Sequence, residues 1–264
     1  CPNDTFMFDA LLHRRIDTEG LSFDLQLMDI EELNRAARRD EAQITKASYS
    51  ILPLIREQYA VLNSGSALGR GNGPLLVSRR RICPDELTRE VRIAIPGRHT
   101  TANLLLDRLF PALEQKCTYL FSDIAEAVMD GEADAGVLIH EGRFTYREKG
   151  LQLVADLGAE WERRCNLPLP LGMIAVSREL PGEIQAAVDR VLRRSVAHAL
   201  AHPQDSYPFV RAHARELSDD VLWSHIQLFV NDFSLDLGDE GRWAIHELLG
   251  SAIPESEFFD LFVR

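Results

Sequence analysis

His140 is the residue of this 264-residue chain best suited to moving a proton at neutral pH. It follows the short apolar run Val137-Leu138-Ile139 and precedes a polar group made by Glu141, Arg143, Thr145 and Tyr146. An imidazole delivered at the C-terminal end of a buried strand can serve as a general base. The competing reading is a strand cap that hydrogen-bonds a neighbouring backbone, and residue type alone does not separate the two. Other clusters point to anion binding. Lys46 and Ser48 stand at the exit of a predicted strand, just before a predicted helix start. Thr100 and Thr101 open another predicted helix, with His99 beside them, and helix starts present N–H groups to anions. His198 and His202, four apart, have the spacing of metal ligands. They also occupy the last turn of a helix before Pro203, where histidine suits the helix dipole. Only Asp205 could add a ligand, so the structural reading is preferred and no metal is expected.

These side chains need elements to carry them. Alternation and apolar runs predict strands at 23–28, 42–48, 74–78, 91–95, 117–120, 137–139 and 151–157. Helical spacing predicts helices at 6–12, 30–39, 101–113, 123–129, 183–200, 206–215, 219–230 and 240–251. The glycine-rich run 63–74 superficially matches a dinucleotide loop, but a strand follows it where a fingerprint requires a helix. Its glycines are therefore expected to allow close backbone approach. The polar passage Arg79–Pro84 and the proline-marked segment 167–176 read as crossings. The expected architecture is an α/β clamshell of two lobes, 1–78 with 176–264 and 79–175, the latter carrying His140. The polar clusters then line a central cleft between the lobes.

A net charge of −12 argues against nucleic acid and anionic membrane as partners, while leaving a small anionic substrate to local donors. No apolar run approaches the ~20 residues of a membrane span. Four cysteines without CxxC spacing suit reduced thiols. With no signal peptide in CPNDTFMFDALLHRR, the expectation is a cytoplasmic protein. A homodimer is left open.

Five ordered segments together resemble one family. They are Cys1-Pro2-Asn3-Asp4-Thr5-Phe6, Thr45-Lys46-x-Ser48-Tyr49, Ser64-Gly65-Ser66-Ala67-Leu68-Gly69, Pro96-Gly97-Arg98-His99-Thr100-Thr101-Ala102 and His140-Glu141-x-Arg143-Phe144-Thr145-Tyr146. The family is that of the 1,4-dihydroxy-6-naphthoate synthases of the futalosine route to menaquinone. The likeness runs to about residue 250 and includes Leu167–Gly172 and Val230-Asn231-x-Phe233-Ser234; the tail after Ile253 falls outside it. The resemblance implies a type II periplasmic-binding-protein-like fold. It also implies a lyase that converts cyclic dehypoxanthine futalosine to 1,4-dihydroxy-6-naphthoate and a three-carbon fragment, dihydroxyacetone, without cofactor. It makes His140 the base and Lys46, Ala47, Ser48, Thr101 and Ala102 substrate contacts. Asn3, Asp4, Ser64, Thr100 and Arg143, within the same motifs, complete the expected set. The rivals are a non-catalytic solute-binding protein and the related chorismate dehydratase.

Overall fold

Local signals decide where the elements begin. Asp29 accepts a hydrogen bond from the Glu31 amide at 2.9 Å, while Glu32 accepts one from the Asp29 amide at 3.2 Å. This reciprocal cap starts the helix Ile30–Arg38, as the sequence predicts. The computed structural model describes residues 2–214 and 218–264. Among these the strands are β1 Ile44–Ser48, β2 Tyr59–Val61, β3 Ala67–Gly69, β4 Leu75–Ser78, β5 Ile93–Ile95, β6 Lys116–Thr118, β7 Ala135–Leu138, β8 Gln152–Asp156 and β9 Leu169–Ser177. The predicted 206–215 helix runs from Pro203 to His213, and Arg215, like Cys1, lies outside the described residues.

The chain divides into two compact units, Cys1–Gly69 with Pro170–Arg264, and Arg70–Leu169. In the first unit β9 is central: β1 and β2 pair antiparallel on it, and β3 pairs with it as well. The second unit holds a five-stranded sheet in the order β6-β5-β7-β4-β8. There β5 runs parallel to β6 and β7, and β4 runs antiparallel to β7 and β8.

These pairings correct both crossing positions. β4 and β5 belong to one sheet, so Arg79–Pro84 is a connection inside the second unit. Its three arginines are exposed because they span two strands of that sheet along the surface. The chain passes between units at Gly69–Arg70 and returns at Leu169–Pro170. The prolines of 168–170 therefore open the longest strand rather than mark a linker. A further correction concerns 23–28, which forms no strand. Leu21, Phe23 and Leu25 are half-buried and alternate with exposed neighbours, so the pattern records burial on one side without a pairing partner.

Each unit has its own core. In the first, Phe6, Met7 and Leu11 of the helix Pro2–Leu12 pack with Ile174 and Val176 of β9. Val188, Val191 and Leu192 of the helix Gly182–Ala201 join them, as do Leu222 and Ile226 of the helix Asp219–Phe229. In the second, Ile124 and Val128 of the helix Ile124–Met129 cover β4, β5 and β7. That helix lies so close to β7 that a Cβ on Gly136 would stand 2.6 Å from Ile124 Cγ2.

Candidate functional site

In the second unit, β7 ends at Leu138 and the chain turns at once into the short helix Gly142–Thr145. The turn is sharp. His140 takes φ 55°, a left-handed conformation that favours glycine and costs a non-glycine residue about 1 kcal/mol or more. Histidine is among the side chains that accept this region more readily. The imidazole is half-buried, with the Phe121 ring edge-on at 5.0 Å. Edge-to-face contact of this kind is a favoured arrangement of two rings.

Thr100 caps the helix Thr101–Leu109. Its hydroxyl oxygen accepts from the Asn103 amide at 3.2 Å and donates to the Gly97 carbonyl at 2.8 Å. The first amides of such a helix have no carbonyl of their own helix to bond. Thr101 and Ala102 are both buried at this start, where the dipole favours negative charge.

Arg143 is committed within the protein. Its Nη1 donates to the Gly73 carbonyl and its Nη2 to Asp156 Oδ2, both at 2.6 Å. A carboxylate and a carbonyl thus engage one N–H on each terminal nitrogen of the guanidinium.

In the first unit, Lys46 on β1 donates to both carboxylate oxygens of Asp4 at 2.6 Å. Burial is the largest single influence and would raise the Asp4 carboxyl, but the positive groups around it, chiefly the Lys46 ammonium through its charge and hydrogen bond, together hold it below its ordinary value. Asn3 Nδ2 donates to Asp4 Oδ1 at 3.1 Å, and Asn3 Oδ1 lies 3.2 Å from His225 Nε2. His225 is fully buried, and burial followed by the Lys46 charge pushes its pKa down to about 3, so the ring is neutral. The sequence reading missed this histidine. The signal was present in the helix Asp219–Phe229, whose inward stripe Leu222-His225-Ile226-Phe229 has an imidazole where a hydrocarbon is usual.

Ser48 is held by Asn34, a buried side chain also absent from the expected set. Asn34 Oδ1 accepts from the Ser48 amide at 2.8 Å, and Asn34 Nδ2 donates to Ser48 Oγ at 3.0 Å. The amide is consumed, which corrects the expectation that it would meet an anion; the hydroxyl proton still points elsewhere, because its oxygen is accepting. Ala47 is fully buried and lies opposite Met173 in the β1–β9 register. Asn3, Asp4 and Lys46 therefore come together around His225, with Ala47 and Ser48 next in the strand. Ser64 does not join them: its amide bonds Asp189 Oδ1 at 3.0 Å and its hydroxyl the same atom at 2.8 Å. At the other histidine pair, His198 Nε2 lies 3.0 Å from Asp205 Oδ2, and His202 contacts His198 ring to ring at 4.9 Å. Among the described residues no cluster of three or more histidine, cysteine, aspartate or glutamate side chains is placed to hold a metal ion.

A sequence model of the family described as "Menaquinone biosynthesis" matches residues 1–253. The chain belongs to that family. It is 46% identical over 252 residues to a Thermus thermophilus protein named 1,4-dihydroxy-6-naphthoate synthase, covering 96% of this chain and 91% of the relative. It is 41% identical over 261 residues to a Streptomyces coelicolor protein of the same name, covering 97% and 91%. A crystal structure of an Archaeoglobus fulgidus protein superposes with a TM-score of 0.88 at 36% identity, over 94% of this chain and 91% of that one. A Candida albicans protein described as having the generic periplasmic binding protein fold superposes at 0.70 with 11% identity, over 98% and 91%. This member of the menaquinone biosynthesis family therefore has the α/β fold of periplasmic binding proteins and is an enzyme of menaquinone biosynthesis. Among the described residues no helix is long and apolar enough to cross a membrane.

Proposed function

We propose that this family member is a 1,4-dihydroxy-6-naphthoate synthase, a carbon–carbon lyase acting on cyclic dehypoxanthine futalosine with His140 as general base. The observation that carries the reading is the identity of 46% to a relative of that name, extending over nearly the whole chain. The conformation of His140 supports the assignment of the base, since a left-handed histidine closing a buried strand is local strain of the kind found at functional sites. Breaking a carbon–carbon bond beside a carbonyl requires a base for one proton and donors for the oxyanion that develops. His140 takes the proton through its neutral imidazole. In the same unit, the helix-start amides at Thr101 and Ala102 supply donors to the anionic substrate. In the first unit Lys46 is paired with Asp4, so the two together carry no net charge. Ser64 and Arg143 are outside the contact set, because Asp189, Asp156 and Gly73 engage them. Formation of an aromatic naphthoate drives the reaction, which releases dihydroxyacetone and calls for no cofactor. The reading carries a cytoplasmic location with it.

The test is to incubate the purified chain with cyclic dehypoxanthine futalosine and follow the naphthoate by chromatography and mass. His140→Asn should retain hydrogen bonding but lower kcat by about 10²–10⁴-fold, with KM little changed. Binding without turnover, or dehydration of chorismate instead, overturns the proposal. Normal turnover by His140→Asn combined with loss in His99→Asn transfers the base to His99.

A further inference from the structure

In the turn carrying His140 the Gly142 amide donates to the Ile139 carbonyl at 3.2 Å, the Arg143 amide to the His140 carbonyl at 3.4 Å and the Phe144 amide to the Glu141 carbonyl at 2.9 Å, with Phe121 edge-on to the imidazole. The bond that closes on His140 itself is the longest of the three, and His140 is in the left-handed region. The Arg143 side chain adds shorter bonds, 2.6 Å each to the Gly73 carbonyl and Asp156 Oδ2. Those two acceptors are themselves fixed. Asp156 uses its other oxygen to accept from the Gly158 and Ala159 amides, both at 3.0 Å, capping the helix Leu157–Cys165. The Leu157 amide donates to the Pro74 carbonyl at 3.0 Å. Gly73 and Gly158 pack backbone to backbone, since a Cβ on Gly73 would stand 2.3 Å from Gly158 Cα.

We propose that Arg143 is a positioning residue that sets the His140 turn by clamping it to Gly73 and Asp156, and does not itself bind substrate. A planar guanidinium can satisfy two acceptors at once in fixed directions, and an ammonium cannot. The two short bonds begin three residues from the base and end on Gly73, whose backbone packs against that of Gly158, and on the helix-capping Asp156, so they transmit a rigid reference to the turn. Ionic pairing with Asp156 also consumes the charge that would otherwise attract a carboxylate. The inference rests on the reading of His140 as base.

Steady-state kinetics of the full chain on cyclic dehypoxanthine futalosine tests it. Arg143→Gln should lower kcat by about 10- to 100-fold with KM within about twofold, the effect of a displaced catalytic group. Arg143→Lys, which keeps a cation and one bond, should lie between Gln and the parent, and it remains informative should the Gln variant fail to fold. In a His140→Asn background, Arg143→Gln should cost nothing further in kcat, because the group it positions is gone. A raised KM with unchanged kcat would show that Arg143 holds substrate and overturns the clamp alone. So does a full additional loss in the His140→Asn background, or parent-like turnover of both Arg143 variants. Parent-like turnover of His140→Asn instead removes the base assignment, and the clamp with it.

Discussion

Replacing His225 by glutamine should blunt the sensitivity of this fold to acid. In an unfolded chain an imidazole titrates near ~6.5, whereas burial and the neighbouring Lys46 charge bring His225 down to about 3 in the native chain. Between those two values the unfolded state binds a proton that the native state does not. Stability therefore rises with pH across that interval and is lost as pH falls from about 6.5 towards about 3. At about pH 5 the unfolded imidazole is about 1.5 units below its pKa, so at ~1.4 kcal/mol per unit the loss relative to about pH 7 is about 2 kcal/mol. Asp4 does not blur this window. Its carboxyl lies below the ordinary 3.8 because Lys46 and the other positive charge nearby together exceed the effect of burial, so its contribution fades only at more acid pH. Glutamine can still donate to Asn3 Oδ1 but cannot titrate. Urea unfolding at pH 7 and pH 5, followed by tryptophan fluorescence, should show the parent losing about 2 kcal/mol more than His225→Gln. The same loss in both proteins would refute the buried neutral imidazole.

Three other outcomes follow from contacts described above. Thr101→Pro removes an N–H and a hydroxyl at a position where proline is tolerated in a helix; KM should rise about tenfold or more, as expected for a hydrogen bond to a charged group, with the thermal midpoint nearly unchanged. Lys46→Met strands the Asp4 carboxylate, whose side chain is 11% exposed, and should cost about 3 kcal/mol or more by urea unfolding, most of it recovered when Asp4→Asn is added. Gly136→Ala drives a methyl to within 2.8 Å of Val128 Cγ2 as well as into Ile124; calorimetry should show about 1–3 kcal/mol of destabilisation.

What could be read from the sequence was whatever depends on near neighbours. The Asp29 cap and the β7 run are specified within a few residues: the cap lies where the pattern put it, and the strand, expected at 137–139, begins two residues earlier and ends one earlier, with His140 just beyond its end. Partnerships across the chain were not legible. Arg143 was grouped with the substrate contacts because it follows His140 closely, yet its partners are Gly73, 70 positions away, and Asp156. Ser64 entered the expected set with its motif, and its carboxylate partner is in a helix 125 positions on. The glycine-rich run concealed β3, because a three-residue strand gives too short a pattern to separate from a loop. The helix Leu157–Cys165 was missed because only Leu157, Gly158 and Trp161 are buried, a stripe too thin to register as helical spacing. Its caps, Asp156 and the left-handed Asn166, were there to be read.

The position of β9 has a bearing on how the polypeptide is made. β1 and β2 both take their backbone partners from it, Ile44 opposite Val176 and Tyr59 opposite Ser177. Every strand of the five-stranded sheet, by contrast, lies within 70–169. During synthesis the later-made unit can therefore close on itself while the earlier one waits for its middle strand. Until Ser177 leaves the ribosome, Ile44–Ser48 and Tyr59–Val61 lack the strand that joins them and offer bare edges to other chains. The hazard of aggregation is concentrated in that interval, and order of folding runs against order of translation.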